Sequence, residues 1–200
     1  MRRIAAAVAL ALIAAAVAIA APAKAGDVAA SGMTTITMWV ANCDGCFIRP
    51  SLTRVDADGK ASGYYGKAIK VRNGVAVLRV PTSKTPGMSF RINGPTREPV
   101  NYAPVLVVQY KGYKPGTIVT RAQATAAKQA SGCWEGTSSS SVTLSVRAAR
   151  VLVPTFPPDG TKTLATFGWF VPTAKAPGNF GPTYKGVIGT QEGGWVCDAG

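Results

Sequence analysis

Apolar and polar positions alternate along much of this chain with a period of two, the spacing at which side chains of an extended strand share a face. Ile36, Met38 and Val40 alternate with Thr35, Thr37 and Trp39. Met88, Phe90 and Ile92 alternate with Ser89 and Arg91, and Val142, Leu144 and Val146 with Thr143, Ser145 and Arg147. Each run predicts a strand with one face in a core. Trp39 falls on the polar phase of its strand, so it is either exposed or covered by a later segment. Val105 to Val108 is apolar without interruption and predicts a central strand covered on both faces. Leu164 to Val171, Val187-Ile188 and Trp195-Val196 predict late strands.

The segment Gly66 to Pro81 contains Asn73-Gly74, a pair suited to the two positive-φ positions of a type I′ turn. As a hairpin it sets Arg72 opposite Val75, Val71 opposite Ala76, Lys70 opposite Val77 and Ile69 opposite Leu78. Ile69, Val71, Ala76, Leu78 and Val80 then face one way, and Lys70, Arg72, Val75, Val77 and Arg79 the other. One segment departs from the strand pattern. Thr120 to Ser131 is rich in Ala, Gln, Lys and Arg, with Thr120 placed to cap a helix and Gly132 to stop it. A short surface helix at about 121–131 follows, with continuation of the preceding strand as the alternative. Ser138 to Ser141 reads as a turn or linker and Pro154 to Gly160 as a loop.

Glycine (22) and proline (14) fall between these short segments, as in an all-β chain. The first residues differ. Met1-Arg2-Arg3 precedes an uncharged, alanine-rich stretch from Ile4 to Ala23, then Ala23-Lys24-Ala25. A basic start, an apolar run and a small-x-small site predict a signal peptide over 1–25, against a retained anchor as the competing reading. Residues 26–200 are then expected to form one domain, with subdivision near 120–140 as the alternative, and to contain no further transmembrane segment. The formal net charge of +13 favours polyanionic partners. The charges are scattered, which a generally solvated basic surface also explains.

The chain has no histidine, which removes Ser-His-Asp and Cys-His nucleophile pairs and histidine-ligated zinc. Ser-x-x-Lys, Gly-x-Ser-x-Gly and the phosphate-cradling glycine motifs are absent as well. Asp56 and Asp58 lie two residues apart on a turn and do not frame a scissile bond. Asp56-x-Asp58-Gly59 resembles the start of a calcium loop, but Lys60 stands where the next oxygen ligand belongs. No cofactor and no metal are expected, and catalysis is not the leading expectation.

Cys43, Cys46, Cys133 and Cys197 make an even set, read first as two disulfides in an exported chain. Of three pairings, Cys43–Cys46 with Cys133–Cys197 is favoured, the long loop of the second giving roughly 4 kcal/mol by chain entropy. Cys43-Asp-Gly-Cys46 also has the spacing of a redox dithiol, though no helix start follows it to stabilise a thiolate. A four-cysteine zinc site would need a second close pair. Among the aromatics, Tyr110, Lys111, Tyr113 and Lys114 form the first choice of binding surface, because rings beside basic groups suit sugars and anionic polymers. Aromatics lining sheet edges offer the plainer explanation.

The layout from Ile36 to Ile92 comprises an opening strand, a second strand to Asp56-Ala-Asp-Gly59, the Asn73-Gly74 unit ending Val80-Pro81, and Gly87 to Ile92. It resembles bacterial immunoglobulin-like or transthyretin-like modules, and Gly112 to Thr117 resembles the turn before a late strand of fibronectin type III domains. The resemblance implies an antiparallel β-sandwich and no particular function. The fold expected is all-β: an immunoglobulin-like or transthyretin-like antiparallel sandwich with one short helix. The function expected is a secreted, non-catalytic module, extracellular or associated with the envelope. It would bind an anionic or glycan polymer of the envelope, with no specific nucleic-acid partner and no protein partner identified. The alternatives are an extracellular dithiol oxidoreductase using Cys43 and Cys46, and an inhibitor or protein-interaction module presenting Val153 to Gly160.

Overall fold

The computed structural model describes residues 32–55, 58, 60–96, 104–110, 113–114, 117–120, 122–124, 130–155, 159–171 and 191. The predicted signal peptide, Lys111, Cys197 and the strands expected at Val187-Ile188 and Trp195-Val196 lie outside these residues. The chain is mostly β, with packed sheets.

Sheet A contains β1 (Met33–Ala41), β5 (Val75–Pro81), β9 (Ser141–Pro154) and β10 (Lys162–Phe170), in the order β10-β9-β1-β5. Sheet B has β2 (Phe47–Val55) at its centre, pairing with β3 (Ala61–Tyr65), β4 (Ile69–Lys70) and β6 (Ser89–Asn93). A small sheet joins β7 (Gln109–Tyr110) to β8 (Ala130–Ser131). The pairing of β1 with β9 is parallel, with Trp39 opposite Ser145, so sheet A is not the purely antiparallel sheet expected.

The alternation in the sequence explains the core. Ile36, Met38 and Val40 from β1 meet Ala76, Leu78 and Val80 from β5 and Leu144, Val146 and Ala148 from β9 on the inner face of sheet A. Ile48, Phe90 and Ile92 of sheet B join the same buried cluster. Phe90 packs edge-on against Phe170 and at a tilt against Trp134, with centroids 5.8 and 5.9 Å apart.

The run Val105 to Val108 is buried throughout, as expected, but it makes single bridges to Arg91 and Trp169 and does not form the central strand predicted. It closes one side of the two sheets. Leu106 donates its N–H to the Phe90 carbonyl of sheet B (2.8 Å), and Val107 donates to the Gly168 carbonyl of sheet A (3.1 Å). Gly168 makes this possible, because a Cβ there would stand 2.4 Å from a terminal carbon of Leu106.

The Asn73-Gly74 turn forms with φ of 50° and 72°, and Arg72 and Val75 exchange both backbone hydrogen bonds. The predicted hairpin stops at that rung. Val71 pairs instead with the Cys43–Cys46 turn, donating to the Cys46 carbonyl (2.7 Å) and accepting from the Gly45 N–H (2.9 Å). Thus β4 joins sheet B and β5 joins sheet A. The inward residues remain those expected, since Val71, Ala76, Leu78 and Val80 are buried. They reach one core from two sheets.

The predicted helix also needs correction. Thr120 caps it as expected, its Oγ1 accepting from the Gln123 N–H (3.1 Å) while Gln123 Oε1 accepts from the Thr120 N–H (2.9 Å). This is a capping box. Residues 122–124 are helical, but Ala130–Ser131 is strand β8, so the helix cannot reach 131. Pairing decides this: Val108 donates to the Ser131 carbonyl at 2.6 Å. Ala124, Val119, Tyr110 and Ala130 form a second small core with Val107 and Trp169 on the far side of β10.

Candidate functional site

The outer face of sheet B gathers cations and aromatic rings. Alternation along β2 turns Ile48 inward and leaves Phe47 and Arg49 outward; along β6 it buries Phe90 and Ile92 and turns Arg91 outward. The antiparallel register then sets Arg49 directly opposite Arg91, Phe47 opposite Asn93 on one side and opposite Lys70 on the other, and Ser51 opposite Tyr65.

Like charges directly opposite one another destabilise a sheet. Here two guanidinium-bearing residues occupy that position, and none of the strands of sheet B carries an acidic residue. Two rings accompany the cations. The Lys70 ammonium lies 6.0 Å from the Phe47 ring centroid, and the Arg91 guanidinium 5.8 Å from that of Tyr65. Each such contact is worth about 0.5–1 kcal/mol at an exposed site and holds a long, flexible side chain in place. Tyr65 is 58% exposed and Phe47 37%. The arrangement can fix acidic groups by paired arginine forks and stack an extended ligand on flanking rings.

The Cys43–Cys46 pair is bonded, with Cα atoms 5.5 Å apart. It closes the turn between β1 and β2, with Asn42 and Gly45 at positive φ and Cys46 donating to the Cys43 carbonyl. Both cysteines are buried in the main core, and no helix begins at the motif. Beside it, a depression of about 350 Å³ is lined by Asp44, Lys70 and Arg72, and the Asp44 carboxylate accepts from the Gly74 N–H. Cys133 is buried and is not free; Cys197, its expected partner, lies outside the described residues.

Tyr110 does not present its ring to solvent. It is buried, stacks on Tyr113 at 5.4 Å and donates its hydroxyl to the Thr117 carbonyl. Burial pushes its pKa above the ordinary phenol value. The apolar body of the ring fills the gap between β7 and Trp169, which is why this tyrosine turns inward. Tyr113 is half-buried and Lys114 exposed, so the predicted platform lacks its first ring.

No protein-family model, curated protein or solved structure matches this chain. The site must be read from its own chemistry. Nothing in the local sequence around Arg49 and Arg91 singles them out, although both fall on the polar phase of alternating strands. Their adjacency comes from the register of β2 against β6, which no local signal encodes. Among the described residues, no group of three or more His, Cys, Asp or Glu could hold a metal, and no helix is long and apolar enough to cross a membrane.

Proposed function

We propose that the protein is a secreted, non-catalytic module that binds an anionic polymer of the cell envelope through the outer face of sheet B. The observation that carries this reading is Arg49 set opposite Arg91 between two exposed rings, in a sheet whose strands hold no acidic residue. A polyanion would bring its negative charge to two cations set side by side by the register of β2 and β6. Phe47 and Tyr65 would contribute contact area, and the general positive charge would speed encounter. The fold reading is an immunoglobulin-like sandwich. It is supported by two sheets sharing one core.

The test is retention on isolated envelope and on an immobilised polyphosphate, with a salt gradient. Wild-type protein should bind at low salt and elute as salt rises, because exposed charges are screened within about 10 Å at 0.1 M. Replacing both arginines (Arg49→Ala/Arg91→Ala) removes two charge contacts to the polymer of about 0.2–1 kcal/mol each, a loss of roughly 2- to 30-fold in affinity. Absence of retention at low salt, or equal elution of the double variant, would sink the proposal. The dithiol alternative has no comparable support, since the bonded cysteines are core residues.

A further inference from the structure

We propose a second, separate site on the opposite side of the molecule: a groove between Trp39 and Arg147 on the outer face of sheet A, which takes an acidic sugar residue of a polysaccharide. The groove has a volume of about 370 Å³ and is lined by Trp39, Ala41, Gly74, Ser145, Arg147 and Val171, together with the backbone of β1 and β9. That volume falls within the ~300–1,000 Å³ range of small-ligand sites.

Its shape follows from the parallel register of β1 and β9. Trp39 stands opposite Ser145, and Ala41 opposite Arg147. Two small side chains therefore occupy one diagonal of this four-residue patch and two large ones the other. Strand spacing puts the ends of a diagonal roughly 8 Å apart, so Trp39 and Arg147 stand as facing walls over a floor of Ala41 and Ser145. Val171 closes one end, held by its N–H donating to the Ser145 carbonyl (2.9 Å).

Trp39 is 55% exposed, whereas the core on the other face of β1 is complete without it. An indole left in water beside a cation matches a ligand with an apolar face and an acid group. A pyranose offers its C–H face to the indole, its hydroxyls to Ser145 and Thr143, and a carboxylate to the Arg147 fork. Charge complementarity favours the acidic class. None of the four strands of sheet A carries an acidic residue, and Arg79 adds a second cation on the same face. A second copy of the chain is a poorer fit. Thr35, Thr37, Thr143 and Ser145 interrupt the apolar residues of this face, where a homodimer interface would be more continuously apolar. This inference does not depend on the function proposed for sheet B.

The test uses full-length protein with polygalacturonate, and with its carboxyl-reduced form as the neutral control. Both are titrated by intrinsic fluorescence and affinity electrophoresis, in wild type and in the Arg49→Ala/Arg91→Ala background. Saturable binding to polygalacturonate should persist in that background. Trp39→Ala should weaken it about tenfold, the 1.4 kcal/mol scale of an aromatic anchor, and Trp39→Phe should weaken it less. Arg147→Gln should lower affinity for the acidic polymer while leaving the neutral control unchanged. Both side chains are exposed, so each variant should keep the wild-type unfolding temperature. The proposal is overturned if polygalacturonate fails to bind the double-arginine background, if Trp39→Ala binds as wild type does, or if the neutral polymer binds equally well. Sedimentation showing a dimer that Trp39→Ala dissolves would assign the face to a second copy and overturn it too.

Discussion

Gly168 should tolerate no side chain while Leu106 is in place. A Cβ added to the backbone of β10 at 168 would lie 2.4 Å from a terminal carbon of Leu106, 3.3 Å from the Arg147 carbonyl oxygen and 3.4 Å from a terminal carbon of Ile92. Leu106 and Ile92 are fully buried, so neither can swing into solvent. Gly168→Ala should therefore cost about 1–3 kcal/mol, the range for overpacking a filled core. In a domain of this size that lowers the unfolding temperature by roughly 2–12 °C. Leu106→Ala alone leaves a cavity and should cost about 2–5 kcal/mol. The double variant is the informative one. Its new Cβ enters the space Leu106 vacates, so the two costs should fall short of additivity by about 0.5–3 kcal/mol. Urea unfolding of the four proteins, compared at constant m-value, measures the cycle. Strict additivity would refute the claim that Gly168 is small in order to seat Leu106, and a neutral Gly168→Ala would do so outright.

Other consequences can be checked as directly. Asp159 is fully exposed, yet hydrogen bonds from the Thr155 and Thr161 hydroxyls and the Thr161 N–H hold its pKa at about 2. Its folded value lies below the ordinary one, so its contribution is present above about pH 4 and is lost as pH falls toward 2; an NMR titration near the ordinary carboxylate value would contradict this. Arg49→Thr should raise stability slightly, by up to about 0.5 kcal/mol, by relieving the repulsion from Arg91, while weakening polyanion retention. A loss of stability would mean the two guanidinium groups do not repel. The Cys43–Cys46 bond should resist a mild glutathione buffer in the folded protein, because an attacking thiolate must reach a buried sulfur; rapid reversible opening there would revive the dithiol reading.

The sequence reveals which way residues face better than which strands they join. Burial of Ile36, Met38, Val40, Leu144 and Val146 follows from alternation alone, and the Asn73-Gly74 turn from the backbone those two residues permit. Turn chemistry fixes four residues and says nothing about the sheet each arm enters, so the rungs expected beyond Arg72 and Val75 do not form. The helix ends early for a similar reason: Ala130 and Ser131 have no strand preference to announce, and the partner Val108 supplies it. At the candidate sites, Arg49 with Arg91 and Trp39 with Arg147 are neighbours only through long-range register. Ring and charge adjacency near Tyr113 is local and legible, whereas the burial of Tyr110 depends on the distant Trp169.

The parallel union of β1 and β9 also constrains when this molecule can fold. Thr34 donates its hydroxyl to the carbonyl of Ser139, 105 residues further along, and β1 lies between β5 and β9 with no other partner on that side. Closing so long a loop is slow, because its entropy is lost before any contact repays it. While the chain is being made, β5 can pair with β1 early, but the edge of β1 that takes β9 stays open until more than two-thirds of the residues exist. A chaperone that shields this open edge of β1 during the wait would have the most to protect.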